Sequence, residues 1–492
     1  MSRRSIARNA FRLGGALVAL LGVVYSVGTA EAVSFNPKTD YATGTYPFAM
    51  ATGDFNGDTF PDLVVTNYFS SSVSILLGTG TGTFGAKTDF ATSANPSSVA
   101  VGDFNGDTKL DIVTGNQGAD TVSVLLGTGT GTFGAKTDFA TGVNPVGVAT
   151  ADFNSDTKLD LVVAVGSANT VSVLLGTGTG SFGAKTDFAT GSLPGFVAIG
   201  DFNGDTKLDL AVTNYLAGTV SILLGTGTGS FGANTDYASG THPQFVATAD
   251  LNADTKLDLV VTNLTSNTVS VLLGTGTGSF GARTAFATGA QASTLAIGDI
   301  DGDTKPDIAV VDQHADTVSV LLGDGTGSFG AKTDFATGAN PWFVVMRDLN
   351  GDTKPDLAVT DLNANTVSIL LQPSSGSPTA TSTATSPSTS TPTPTPQGSV
   401  TMTQTAITRI KTATPTVTST STSTPVPQTK TPAPSATAAQ TSPTGDRRGV
   451  LVGPDTGSGP RTGNASSSAL LIAAMLAIAG MSVAALGRKL LR

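Results

Sequence analysis

Between residues 96 and 142 the chain falls into four short runs in which apolar, mostly β-branched residues alternate with small or polar ones. None of the runs carries a helical period. Residues 98–103 (SVAVGD) are apolar and lead into a turn of Asp, Asn and Gly; residues 110–114 (LDIVT) and 121–126 (TVSVLL) follow. After a GTGTG turn at 127–131, residues 133–141 (FGAKTDFAT) make a fourth, more polar run. Runs of this length between Gly-rich turns predict four antiparallel strands, the content of one propeller blade.

The unit recurs. Its Asp-rich turn starts at Asp54, Asp103, Asp152, Asp201, Asp250, Asp299 and Asp348, each 49 residues after the last. A fixed period in this range marks a repeat architecture. Seven units predict an all-β, seven-bladed propeller over residues 33–372. The entry segment 35–43 (FNPKTDYAT) aligns on the fourth run of a unit, and the exit 366–371 (TVSILL) aligns on the third. The N-terminal segment is therefore expected to supply the outer strand of the last blade. That pairing closes the ring and removes two free edges.

The turn itself carries chemistry. In the first copy, Asp54, Asn56, Asp58 and Asp62 fall at positions 1, 3, 5 and 9, and the carbonyl of Phe60 at position 7 adds an oxygen. Hard Ca²⁺ takes ~6–8 oxygen ligands, and crowded carboxylates repel each other unless a cation lies between them. The same positions are Asp103, Asn105, Asp107 and Asp111; Asp152, Asn154, Asp156 and Asp160; Asp201, Asn203, Asp205 and Asp209. They continue as Asp250, Asn252, Asp254 and Asp258; Asp299, Asp301, Asp303 and Asp307; Asp348, Asn350, Asp352 and Asp356. Up to seven Ca²⁺ ions are expected. The competing reading is plain Asp/Asn/Gly turns without metal. Neighbouring positions 2, 4 and 8 drift between copies while 1, 5 and 9 stay Asp. Position 12 is Val65 rather than Glu, and no Glu follows Glu31, so an EF-hand is excluded. Thr at position 6 weakens the expected affinity, because such loops want a positive φ there and a β-branched residue resists it.

Composition narrows the partners. A net charge of −10 argues against nucleic acid, and the absence of Cys excludes disulfides and thiolate metal sites. Residues 1–32 have a basic start, an apolar stretch and Ala30-Glu31-Ala32, the pattern of a secretory signal. Residues 373–468 begin as a Ser/Thr/Pro-rich segment that cannot build a core and is expected to be a disordered stalk. Residues 469–486 are apolar and just long enough to span a bilayer, with a basic cytoplasmic tail at 487–492. A cell-surface, single-pass protein with an extracellular propeller is the expected arrangement. Sortase linkage to a cell wall through a signal at 453–457 (GPDTG) is the alternative.

The D-x-N-G-D-x-x-x-D-[LI] turn followed by Phe-Gly, as at Phe84-Gly85 and Phe133-Gly134, resembles the FG-GAP or VCBS repeats of integrin α heads and many bacterial surface proteins. The resemblance implies a calcium-bound propeller used in recognition and adhesion. An extracellular protein or glycan is the expected partner, and a monomer the expected state.

Variation between copies concentrates in two loop sets. One joins strands 2 and 3 (67–71 and its equivalents), the other joins strand 4 to the next blade (44–48 and its equivalents). Both emerge on the same face of an up-and-down blade. Binding residues concentrate in loops on a rigid scaffold, so Tyr68, Tyr215, His242, His314 and Trp342 are the candidate ligand-binding face. Phe48, Phe196, Phe245 and Phe343 are expected to point inward. A lectin is one alternative. A less favoured one is a calcium-dependent polysaccharide-degrading enzyme built on Asp312, Asp316, Asp324 and Asp361 near His314. No catalytic set is evident otherwise, and the chain reads as a non-enzyme.

Overall fold

The computed structural model describes residues 33–374. These residues form twenty-eight strands in seven antiparallel four-stranded sheets. Blade 2 is representative. Its strands are Pro96–Gly102, Asp111–Asn116, Thr121–Leu125 and Thr137–Ala140, paired in sequence order. Strand 2 is buried along its whole length, as a strand covered on both sides must be. The fourth strand is shorter than its alternation predicts. Phe133 only bridges to Gly127, because the intervening glycines 129 and 131 turn the chain with φ near +75°. Strand 1 starts earlier than expected, at Pro96, and a bulge separates the pairs Pro96–Asn116 and Ser98–Gly115.

The ring closes as the chain ends require. Thr39–Ala42 pairs with Thr366–Leu370, in the register Thr39 to Ile369 and Ala42 to Thr366, and completes the seventh sheet. The first strands of successive blades touch around the centre, and Pro341–Arg347 of the last blade reaches Pro47–Gly53 of the first.

The core lies between blades rather than within them. Val64, Val73 and Ile75 of blade 1 pack on Ile112, Leu125 and Phe133 of blade 2, and equivalent clusters recur around the ring. The Phe of each Phe-Gly pair meets the strand-4 aromatic of the preceding blade edge to face: Tyr41–Phe84, Phe90–Phe133, Phe139–Phe182, Phe188–Phe231, Tyr237–Phe280 and Phe286–Phe329. The seventh pair, Phe335–Phe35, has centroids 4.8 Å apart and is supplied by the N-terminal segment. Such pairs add roughly 0.5–1.5 kcal/mol each beyond the area they bury.

The expected signal (1–32), all but the first residues of the expected stalk, the membrane span and the basic tail lie outside the described residues. Among the described residues no helix is long and apolar enough to cross a membrane.

Candidate functional site

Every Asp-rich turn joins strands 1 and 2 on one face of the ring. In blade 1 the carboxylate of Asp54 accepts the amide hydrogens of Gly57 (2.7 Å) and Thr59 (2.9 Å). Asn56 Oδ1 accepts from Asp58 N (3.0 Å), and Asp58 Oδ1 accepts from Phe60 N (2.9 Å). The turn is thus wound around its own acidic side chains, and each carboxylate keeps acceptor capacity beyond these bonds.

Position 9 does a second job that local spacing does not announce. Asp62 is fully buried; Oδ2 accepts from Phe55 N (2.8 Å) and Oδ1 from Gly78 N (2.7 Å), sixteen residues on. It staples the Asp turn to the turn between strands 3 and 4. The staple recurs at Asp111, Asp160, Asp209, Asp258, Asp307 and Asp356. A side chain at Gly78 would put its Cβ 2.2 Å from the carbonyl oxygen of Pro61, which explains glycine at that point of the turn. In blade 7 Gln372 takes the place of that glycine and donates its backbone amide. Burial pushes all seven position-9 carboxyls upward, against the two amide bonds that lower them, and Asp307 and Asp356 reach about 6.

The turns also lock blade to blade. The carbonyl of Phe55 accepts from Gly131 N of blade 2 (2.8 Å), and that of Leu349 accepts from Gly82 N of blade 1 (3.0 Å), across the ring closure. Onto blade 6, Gln372 Nε2 of blade 7 donates to Ile300 O (2.8 Å).

Three carboxylates converge in blade 6. Asp299, Asp301 and Asp307 each bring an oxygen within 4.8 Å of the others. Asp301 replaces the Asn of the other copies, and burial, then the neighbouring acids, raises its carboxyl. Asp303 at position 5 is not in this group; its Oδ2 pairs with Lys305 Nζ at 2.6 Å. The same pair forms in Lys109–Asp107, Lys158–Asp156, Lys207–Asp205 and Lys256–Asp254, at 3.1–3.2 Å. Position 5 is therefore turned toward a side-chain ammonium in blades 2 to 6, an interaction that the sequence reading missed although the Asp-Thr-Lys spacing was visible. Phe60 takes the lysine's place in blade 1, and Lys354 of blade 7 donates to Pro373 O instead (2.9 Å).

Thr59 and its six equivalents all hold φ between +66° and +72°. The left-handed conformation anticipated at position 6 is present, on a residue type that resists it. Each non-glycine residue so held costs ~1–3 kcal/mol. We expect Thr206→Gly to raise stability by about 1 kcal/mol, after allowing for glycine's freer unfolded chain, as read from the urea midpoint.

On the opposite face the candidate residues separate. Tyr68 is half-buried and its hydroxyl donates to Gln117 Oε1 (2.7 Å). Tyr215 stacks on His242 with centroids 4.4 Å apart and planes 9° from parallel, and His242 Nδ1 lies 2.6 Å from Thr265 Oγ1. His314 is exposed. Trp342 corrects the expectation: it is only 4 % exposed, packed against Phe48, Tyr46 and Leu362. It follows the Pro that starts strand 1, where the ring interior rather than solvent receives the side chain. Phe48 and Phe196 are buried, while Phe245 and Phe343 are partly buried. Phe245 contacts Phe196 (5.1 Å) and Phe343 (5.8 Å), so aromatic rings of blades 4, 5 and 7 meet past blade 6, whose equivalent residue is Thr294.

The four carboxylates of the enzyme alternative do not form one group. Asp312 and Asp361 are fully buried at the end of strand 2, where Asn67, Asn116, Asn214 and Asn263 stand in other blades. Asp316 accepts from Asn340 N (2.8 Å), holding a loop. Asp324 caps the turn between strands 3 and 4, at the other end of the blade, by accepting from Thr326 N (2.8 Å).

Seven four-stranded blades closed by a shared terminal sheet define a seven-bladed β-propeller. The model of the FG-GAP-like repeat matches six times, at residues 54–114, 103–163, 152–212, 201–261, 250–310 and 299–359. The chain belongs to the FG-GAP-like repeat family. Comparison with curated protein sequences gives no match. Among solved structures it is similar to BBS1N, crystallised in complex with ARL6DN, at 12% identity and TM-score 0.51, covering 69% of this chain and 97% of that one. It is also similar to virginiamycin B lyase from Staphylococcus aureus, at 12% identity and TM-score 0.50, covering 69% and 99%. At this identity the likeness is one of fold.

Proposed function

We propose that this protein is a calcium-braced recognition propeller, displayed on a cell surface, that binds an extracellular protein or glycan through its variable face. The observation that carries this reading is the division of the ring into two unlike faces. One repeats the Asp turns in every blade and their lysines in all but the first. The other changes in every blade, and neither of its loop sets contains a lysine or arginine. A face of amides, hydroxyls and aromatic rings suits neutral polar surfaces, whether glycan or protein. Protein binding by a similar ring is on record in BBS1N with ARL6DN. The Tyr215–His242 stack beside the Thr265 hydroxyl favours the lectin alternative.

Calcium fits the turns by donor chemistry. The donors are all oxygens, and in blade 6 three of them already converge within 4.8 Å. Positions 1, 3 and 9 of each turn would hold the ion, with position 5 available once its lysine releases it. The ion's contribution is charge neutralisation and rigidity of the turn. The chain's own part is to pre-wind that turn and tie it to the next blade.

A glycan array and a cell-adhesion assay on the full chain test the reading. Tyr68→Ala and Tyr215→Ala are expected to weaken binding about tenfold or more, as buried aromatic anchors do. Phe60→Ala, on the uniform face, is expected to leave it unchanged. Equal loss from both faces would overturn the proposal.

A further inference from the structure

Blades 1, 2 and 4 carry a buried polar ladder across strands 2, 3 and 4; blade 3 has Val165 in place of the asparagine and blade 5 has Ala285 in place of the strand-4 Asp. In blade 1, Asn67 Oδ1 accepts from Gly44 N (2.9 Å), Asn67 Nδ2 donates to Ser74 Oγ (2.9 Å), and Ser74 donates to Asp89 Oδ1 (2.6 Å). In blade 1 the asparagine amide donates to the serine oxygen, which leaves the serine's one hydrogen free for Asp89. The ladder repeats through Asn116–Ser123–Asp138 and Asn214–Ser221–Asp236.

Blades 6 and 7 break the pattern in one atom. Asp312 and Asp361 replace the Asn. Ser319 Oγ then lies between Asp312 Oδ2 and Asp334 Oδ1, 2.6 Å from the latter, and Ser368 Oγ lies between Asp361 Oδ2 (2.7 Å) and Asp40 Oδ1 (2.8 Å). A serine hydroxyl has a single hydrogen. It cannot donate to two carboxylates. The bonds are complete only if one of the two carboxyls carries a proton. The outer ones, Asp334 and Asp40, pair with Lys332 and Lys38, so the proton belongs on the buried carboxyl. That carboxyl donates to the serine oxygen while the serine donates onward to the outer carboxylate.

We infer that Asp312 and Asp361 act as proton-operated clasps, which tighten blade 6 and the ring seam in acid and loosen them when the carboxyls ionise. The seam clasp spans the closure, since Asp40 belongs to the N-terminal strand and Asp361 to the last blade. Both clasps also hold a variable-face loop by its base, through Gly289 N to Asp312 Oδ1 (2.9 Å) and Gly338 N to Asp361 Oδ1 (3.0 Å).

The surroundings are sparse in charge. Lys332 and Asp334 on strand 4 face Asp312; Lys38 and Asp40 face Asp361. The first strands behind them carry no charge except Arg347, whose guanidinium donates to Thr52 Oγ1. Thr366 Oγ1 also donates to Asp361 (3.1 Å). Burial, outweighing these bonds and lysines, pushes both carboxyls up to about 6. A carboxyl whose folded pKa lies above its unfolded one stabilises the fold while protonated. That contribution is full below the unfolded value near 3.8 and is lost as pH rises through about 6.

The test uses the full chain in constant excess calcium, wild type against Asp312→Asn, Asp361→Asn and the double variant. Asparagine is the residue that four other blades use at this point, so the variants keep the ladder. Between pH 5 and pH 8 the wild type is expected to lose about 3 °C or more of melting temperature relative to the double variant. Amide-exchange protection at Gly289 and Gly338, corrected for intrinsic rates, is expected to fall about tenfold or more in the wild type only. An identical pH slope in wild type and double variant would overturn the inference. So would carbon-13 titration showing both carboxyls already ionised at pH 5.

Discussion

Chelating calcium is expected to lower the melting temperature of the protein by about 10 °C or more at neutral pH. A ligand present at 100 times its dissociation constant stabilises the folded state by about 2.7 kcal/mol per site. Three filled turns of the seven already give ~8 kcal/mol, and at ~2.1 cal/mol/K per residue each kcal/mol moves a ring of about 340 residues by ~1.4 °C. The physical source is the crowding of acids in turns such as Asp299, Asp301 and Asp307, whose oxygens lie within 4.8 Å of each other. The lysine pairs set the other bound. Lys109, Lys158, Lys207, Lys256 and Lys305 each meet the position-5 carboxylate, so part of the repulsion is relieved without metal. Exposed pairs of this kind contribute little, ~0–1 kcal/mol. The chelated protein is therefore expected to stay folded at room temperature but to melt earlier, with no shift if calcium has no place in the turns.

Removing residues 33–42 is expected to be more damaging than any single substitution on the surface. This segment supplies the outer strand of the seventh sheet, the Asn36 N to Leu371 O bond (2.8 Å) and the Ser368–Asp40 bond. It also brings Phe35 and Val33 into the cluster around Val320 and Leu370. Losing a fully buried Phe costs about 3–5 kcal/mol; Phe35 is partly buried, so Phe35→Ala should cost somewhat less than that in a urea titration. The deletion should add the lost strand and leave Thr366–Leu370 as a bare edge, which invites pairing between molecules. Sedimentation should then show more self-association than the intact chain does. An unchanged midpoint and a monomeric deletion variant would mean the seam does not hold the ring.

The ring was legible because its evidence is periodic. Asp54 and its six copies set the blade count, and the segment at 35–43 declared its role by aligning on strand 4 of a unit. The inner strands were legible because β-branched alternation is a local signal. What escaped depends on neighbours brought close by the ring. Asp62 reads as one more ligand until Gly78, sixteen residues later, is found on its second oxygen. Trp342 looks like a loop residue, yet the bulged start of strand 1 aims it at Phe48 of the adjoining blade. Asp312 looks like a spare acid until its place is matched with the asparagines of the other blades. The position-7 lysines of the other six copies are visible in the sequence, but only the carbonyl of Phe60 at that position suggested a role.

Calcium counting is the most direct test of the cages. Equilibrium dialysis of the full chain against radioactive calcium, at neutral pH and physiological salt, should find up to seven ions bound per chain. Removing Asp299, Asp301 and Asp307 together by substitution with Ala should lower that count by one. A chain that binds no calcium at millimolar concentration, while remaining folded, would contradict the claim that these turns are cation sites.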